Sequence, residues 1–297
     1  MTPAAGDPPA LTPCPVCGGR FVRHAVAWLL RCERCALRAM PADGASATLG
    51  VWDEENARAL DALRRDTATR LLDALAGLSP LPGLRLLDIG CGPGWFLRAA
   101  GERGVVARGV EADAAMAQRA RAAGLVVASG VFPAAVADDR YDIISLNDVF
   151  EHLPDPVAAL ADLHGRLASN GLLLLNLPSR QGTFYRLAEG LARLGMSAPL
   201  ARLWQRDFVS PHRYYFDADA LDRLLATRGF QCVRAFTLPS ISVRGLWARV
   251  TEDRRLPRPV AALIYCGALL YIPVQRWLPA DIMVRIYRSA NADLASA

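Results

Sequence analysis

Apolar positions along this chain follow two rhythms. Leu84 to Ile89 and Val105 to Val110 are short, mostly apolar runs, interrupted by Arg85, Asp88 and Arg108, the pattern of buried strands. Between them an apolar helix opens at Trp95, Phe96 and Leu97. Upstream, Leu60, Leu63, Leu71, Leu72 and Leu75 recur at helical spacing and predict a helix over residues 52–78. Asp53 suits its cap, Glu54 and Glu55 suit its first turn, and Gly77 ends it before Pro80 and Pro82. Still earlier, Phe21, Val22, Val26, Trp28 and Leu30 suit short strands. Near the other end, Pro259 to Gln275 carries no charge and is apolar on every side. As a helix it would be about 25 Å long, short of a bilayer's hydrocarbon core.

Composition narrows the class. The chain has 297 residues, 53% hydrophobic and 21% charged. That mix excludes a disordered chain and suffices for one α/β domain with a small extra module. Net charge is +5, and all 34 basic residues are arginine. The surplus permits an anionic partner without demanding one. Without lysine, Schiff-base and P-loop chemistry are excluded. The opening MTPAAGDPPALTP has neither the basic start nor the apolar run of a secretory signal. Residues 1–12 read as a disordered tail. The expected compartment is the cytoplasm, with contact to the inner face of the membrane left open by the apolar segment.

Four of the seven cysteines form two pairs, Cys14-Pro-Val-Cys17 and Cys32-Glu-Arg-Cys35. Each C-x-x-C brings two thiolates to one metal from a tight turn, and two such turns close a tetrahedral zinc site. A redox motif or four unrelated thiols are the rival readings, and the doubling disfavours both. Residues 13–45 thus resemble a zinc ribbon, with Ala36 where such ribbons often have glycine. Four sulfur ligands leave no open position, so the zinc would be structural. Arg20, Arg23, Arg31, Arg34 and Arg38 on the ribbon leave a nucleic-acid role open. Cys91, Cys232 and Cys266 read as small packed residues.

The stretch Gly83–Leu97, GLRLLDIGCGPGWFL, runs from a strand through glycines into a helix. That arrangement turns bare backbone N–H groups and a helix N-terminus toward a ligand. Glu111 follows Gly90 at the end of the second strand, where an acid accepts both hydroxyls of a ribose. The dinucleotide fingerprint fails, because its third glycine would fall on Trp95. The D-x-G-x-G-x-G spacing instead resembles motif I of class I S-adenosylmethionine-dependent methyltransferases. Tyr141 to Leu146 resembles that family's fourth strand, NDVFEHLPDP (Asn147–Pro156) its loop and helix start, and GLLLLNLP (Gly171–Pro178) its fifth strand. Ser210 to Phe216 resembles a segment of small-molecule members such as ubiquinone-biosynthesis O-methyltransferases. A helix at 219–228, a strand at 230–238 and an antiparallel last strand at 282–288 complete the likeness. It implies a Rossmann-like, seven-stranded, mostly parallel sheet with helices on both faces, plus the ribbon. The domain order is then the tail 1–12, ribbon 13–45, linker helix 46–80, and catalytic domain 81–297 with an apolar insertion at 245–280.

The resemblance implies S-adenosylmethionine as cofactor, held by Asp88, Gly90, Cys91, Gly92, Gly94, Glu111, Ala112, Val131, Phe132 and Asn147. After the third strand the family usually has an acid for the adenine amine; here Ser129-Gly130-Val131-Phe132 stands instead. His212 and His152 are the candidate bases for a hydroxyl acceptor. His152 also reads as a hydrogen-bonded buttress of a helix start, Asp88 as a cap of the turn and Glu111 as a surface acid. By analogy with the ubiquinone enzymes, Asp148, Glu151 and His152 are a candidate magnesium site. Phe184, Tyr185, Trp204, Tyr214, Tyr215 and the apolar segment are expected to wall the acceptor. The expected reaction is methyl transfer to a small molecule, at a hydroxyl. An RNA methyltransferase using the ribbon as its handle, and a non-catalytic zinc-ribbon scaffold, are the alternatives. For 259–278 three readings stand open: a buried lid, a homodimer interface, or peripheral membrane contact.

Overall fold

The computed structural model describes residues 13–41, 54–243, 245–251 and 257–289. The expected tail and the expected cap at Asp53 lie outside these residues. Three short strands come first, β1 (Phe21–Arg23), β2 (Leu30–Cys32) and β3 (Arg38–Ala39), then helix α1 (Glu54–Ala76). There follow β4 (Arg85–Ile89), α2 (Trp95–Glu102), β5 (Val106–Glu111), α3 (Ala114–Ala122), β6 (Val127–Ser129), β7 (Tyr141–Asn147), α4 (Pro156–Arg166) and β8 (Leu167–Pro178). The remainder comprises α5 (Thr183–Arg193), α6 (Ala198–Leu203), β9 (Tyr214–Tyr215), α7 (Ala218–Ala226), β10 (Phe230–Leu238), α8 (Leu246–Thr251), α9 (Arg258–Val274) and β11 (Ile282–Ser289).

Seven strands form the central sheet in the order β6-β5-β4-β7-β8-β11-β10. Pairing from β6 to β8 is parallel, and β11 runs antiparallel to both of its neighbours. The expected architecture therefore stands. Its middle strands are largely buried on both faces, in keeping with their mostly apolar sequence. On one face Leu71, Leu72 and Leu75 of α1 pack with Phe96 and Leu97 of α2 and Ala117 and Ala120 of α3. On the other, Leu160 and Leu163 of α4 meet Leu221, Leu224 and Leu225 of α7. Asp113, Asp155 and Asp217 cap α3, α4 and α7 by accepting from backbone N–H groups of the first turn.

The N-terminal module is not a bead on a string. β1, β2 and β3 continue into β9, a strand of the main domain, making a second sheet of order β1-β2-β3-β9. The fold thus joins what the sequence divides at residues 45 and 80. Side chains from both parts, among them Leu29, Met40, Tyr185, Trp204 and Tyr215, form one buried cluster. Glu189 of α5 accepts from His24 Nε2 at 3.1 Å and from Arg38 Nε at 3.1 Å. The His24 hydrogen bond and the Arg38 charge hold its carboxyl down at about 2, against the effect of burial.

The apolar segment forms α9 as expected, but not inside the core. Among its residues only Ala261 is buried, which overturns the buried-lid reading. Cys266, expected to be packed, is exposed on this helix, whereas Cys91 is buried. The helix and the 3-10 turn that follows, Arg258–Trp277, are together long and apolar enough to cross a membrane by length and composition. That span includes Arg258 and Arg276; the uncharged run between them, Pro259 to Gln275, keeps the length expected from the sequence.

Candidate active site

The carboxyl ends of β4 to β8 open onto a cavity of about 930 Å³. Gly90 lies at its floor, directly after β4. Its φ is +68°, and a Cβ there would stand 2.5 Å from Val149 Cγ2, so only glycine lets the turn pass. Across the turn, Glu111 at the end of β5 lines the cavity. Its Oε2 accepts from the Gly92 N–H at 2.7 Å and its Oε1 from the Asp113 N–H at 2.9 Å. Each carboxylate oxygen keeps a lone pair for a further donor. The carboxylate is thus fixed in direction before any ligand arrives. Ala112, Gly130, Val131 and Phe132 extend the wall beside it.

Asp88 sits behind this wall and does not face the cavity. It is 2% exposed, and its Oδ1 accepts from Ser145 Oγ at 2.7 Å and Asn147 Nδ2 at 3.1 Å. Burial pushes its carboxyl up to about 7 despite those two donors. Its work is to lock the ends of β4 and β7 together. Asn147 Oδ1 is left buried without a partner. Cys91 turns its sulfur toward Gly109, where a Cβ would lie 2.5 Å away. Gly94 caps α2 with φ +88°, in space that Leu125 closes to any side chain. Of the ten expected cofactor residues, Gly90, Glu111, Ala112, Val131 and Phe132 therefore line the cavity. Asp88, Cys91, Gly92, Gly94 and Asn147 shape the turn from behind.

A second cluster stands on the opposite wall. Glu151 and His152 lie in a 3-10 turn after β7, and His212 lies just before β9. The two imidazole rings meet edge to face at 4.6 Å. His212 Nε2 is 3.9 Å from Glu151 Oε1. Both Glu151 oxygens and His212 Nδ1 are buried with no hydrogen-bond partner. Burial, reinforced by the nearby Asp148 charge, drives the Glu151 carboxyl well above its usual range. Burial, with His152 close by, pulls His212 down to about 3. His212 is therefore a neutral imidazole across the working pH range. His152 Nδ1 is 3.1 Å from the Pro211 carbonyl, so its buttressing role is real even though its ring also lines the cavity.

A match to a methyltransferase-domain family model spans residues 60–235. The chain belongs to that family. Relatives agree. It is 29% identical over 152 residues to a ubiquinone biosynthesis O-methyltransferase of Xanthomonas campestris, covering 47% of this chain and 62% of that one. It is 32% identical over 208 residues to the enzyme of the same name from Ruegeria pomeroyi, covering 66% and 79%. The chain thus spans less than two thirds of the Xanthomonas relative's length. A cyclopropane synthase of Mycobacterium tuberculosis shares the fold, with TM-score 0.53 and 20% identity over 74% of this chain and 83% of that one.

Within this methyltransferase, the expected acceptor wall is partly redrawn. Phe184, Tyr185 and Tyr215 line the cavity, whereas Trp204 is fully buried and Tyr214 faces the ribbon side. The apolar helix contributes no lining residue. Ser240, Ile241 and Asp281, which flank α8 and α9, do so instead, and sequence reasoning missed them. Their meeting depends on the β10–β11 pairing, for which no local signal exists. Arg64 of α1 was also missed; it lies over the Trp95 ring at 3.8 Å and faces the cavity. The metal expectation shifts too. The ligand atoms that converge within 4.8 Å are those of Glu151, His152 and His212, without Asp148. Two imidazoles and one carboxylate are a poor match for magnesium, which prefers oxygen donors.

The four ribbon cysteines do meet. Cys14 and Cys35 sulfurs are 3.5 Å apart, those of Cys17 and Cys32 3.4 Å, and all four lie within 4.8 Å of one another. With Zn–S bonds of about 2.3 Å, a tetrahedral site has sulfur–sulfur edges of about 3.8 Å. Burial pushes the Cys14 thiol up against the N–H groups of Val16 and Cys17, whereas at Cys32 the N–H groups of Cys35 and Arg34 outweigh burial and bring the thiol down to about 7. Ala36 adopts φ +60°, the conformation glycine usually supplies at that place. The cluster fits structural zinc.

Proposed function

We propose that this chain transfers the methyl group of S-adenosylmethionine to a hydroxyl of a small acceptor. The observation that carries the cofactor half is Glu111, held by two backbone N–H groups at the cavity rim opposite the glycine turn. Its remaining lone pairs suit the two ribose hydroxyls, and Gly90 admits the cofactor's middle without side-chain obstruction. Backbone groups of Gly130 and Val131, with the Phe132 ring, stand in for the missing acid at the adenine.

The bound cofactor supplies an electrophilic methyl on a sulfonium; the protein aligns and dries the site. His212 is the base. Its buried, unpartnered Nδ1 is free to accept the acceptor's proton while Nε2 faces Glu151. Glu151 Oε1, 3.9 Å from Nε2, packs against that side of the ring. His152 packs the pair from the side. Arg20, Arg34 and Arg38 of the ribbon are engaged with Glu33, the Cys17 carbonyl and Glu189, which speaks against a ribbon-borne RNA handle.

Calorimetry with S-adenosylhomocysteine and turnover with a hydroxyl acceptor test the two halves separately. Glu111→Gln should weaken cofactor binding about tenfold or more, as expected for a hydrogen bond to a charged group. His212→Asn should lower kcat by about 10²–10⁴-fold and leave cofactor affinity unchanged. Unaltered cofactor affinity in the Glu111 variant would remove the cofactor assignment.

A further inference from the structure

We propose that α9 lies in the surface of an anionic lipid bilayer. The helix and the turn after it touch their own domain along one stripe, Ala261, Tyr265, Ala268, Tyr271, Ile272 and Gln275. An ordinary surface helix is polar on the opposite face. Here that face is apolar and bare: Leu263 is 74% exposed and Leu270 76%, with Ile264 and Leu269 also exposed. No residue from Pro259 to Gln275 carries a charge. A protein partner or a second copy would cover one side of such a rod and leave the rest in water. A bilayer surface covers every exposed side at once.

The ends of the helix agree in chemistry. Arg258 precedes the run and Arg276 follows it, with no acidic residue from Arg258 to Ala280. Arg276 lies 4.1 Å over the ring of Trp277, which is 68% exposed. Cationic ends and an amphipathic ring match anionic headgroups at the level where aromatic side chains collect. Exposed apolar surface continues at Trp247, edge to face with Tyr265 at 5.4 Å, and at Leu187 on α5, one turn from Phe184. Phe184 in turn packs on Tyr271 of α9 at 4.8 Å.

Crossing the bilayer is ruled out by connectivity. After Trp277 the chain returns within a few residues to β11, which is paired between β8 and β10. Before α9, α8 packs on α1 of the same domain. Both ends of α9 are thus tied to one side, and Gln275 Nε2 anchors its end to the Ile241 carbonyl at 3.0 Å. The helix lies in the interface plane.

Flotation of the full chain with vesicles of phosphatidylcholine, with and without phosphatidylglycerol, tests this. The chain should float with the mixed vesicles, and about tenfold less with phosphatidylcholine alone. L263D/L270D, at two largely exposed positions, should abolish flotation without changing the melting temperature in buffer. Arg258→Gln with Arg276→Gln should remove only the preference for the anionic lipid. Absence of flotation overturns the proposal, as does flotation that survives L263D/L270D. A stable dimer in light scattering that L263D/L270D dissolves, without flotation, makes a second copy the occupant and also overturns it. Flotation needs neither cofactor nor acceptor, so its failure leaves the methyl-transfer reading standing.

Discussion

The ribbon and α9 are both additions to the same seven-stranded sheet, and they are attached by opposite physics. The ribbon gives the catalytic domain a strand pairing, a buried aromatic cluster, the Glu189–His24 hydrogen bond and the Glu189–Arg38 ion pair. Its last strand, β3, pairs with β9, and Met40 N donates to the Arg213 carbonyl, beside His212. Arg213 N donates in turn to the Glu151 carbonyl. The ribbon thus braces the segment that carries His212, the proposed base. Helix α9 keeps one stripe of contact and offers the rest of its apolar surface to the outside. An addition that buries its apolar groups internally is part of the fold, whereas one that displays them is built for something beyond it.

The sharpest way to test that contrast is to remove the metal. Chelation, or Cys32→Ser, should unravel the ribbon and lower turnover by about 10²-fold or more through loss of His212 positioning. Affinity for S-adenosylhomocysteine should stay within a few fold, because the glycine turn and Glu111 belong to the main sheet. Calorimetry and turnover on the same sample check this, and equal loss of both would mean the ribbon supports the whole domain.

A gentler cut is Glu189→Gln, which leaves His24 and Arg38 facing a neutral amide. It should cost about 3 kcal/mol in chemical denaturation, in the range for breaking a buried ion pair. The same contact sets an acid limit. Because the folded carboxyl is held at about 2 against an ordinary 4.5, its contribution is complete above about 4.5 and disappears as pH falls toward 2. Near-ultraviolet circular dichroism of the Trp28–Trp204 pair, whose rings meet edge-on at 6.1 Å, should report loosening in that window. The glutamine variant should lack this transition. The smallest effect belongs to α9: L263D/L270D should move stability in buffer by no more than about 0.5 kcal/mol, since no buried group is disturbed.

Much of this molecule is legible in its sequence, for identifiable reasons. The strands at 84–89, 141–146 and 171–178 announce themselves because parallel strands covered on both faces are mostly apolar, with polar residues confined to a few positions such as Asp88, Ser145 and Asn176. The glycine turn, Glu111 and the cysteine pairs are local patterns whose chemistry fixes their spacing. What hid from the sequence is everything made by distant segments meeting. Tyr214 and Tyr215 show no sign of completing a sheet begun at Phe21. Glu189 looks like an ordinary helix acid until His24 and Arg38 close on it. Asp88 carries the expected signature, yet its side chain braces the strands while the backbone of the turn meets the cavity. The pairing of Glu151 with His212 crosses from one loop to another, so only His212 and His152 could be singled out as bases.

In the β10–β11 pairing, Leu238 and Ile282 stand directly opposite each other. Everything between them, α8 and α9 included, is a detour from what is topologically a hairpin end. A tight turn there would close the same ladder without moving any other strand. The segment can consequently be lengthened, shortened or exchanged while the catalytic scaffold stays intact, with Ser240, Ile241, Asp281 and Phe184, which packs on Tyr271, carrying the change to the cavity. Lineages diversifying this scaffold have here a port for new anchoring pieces.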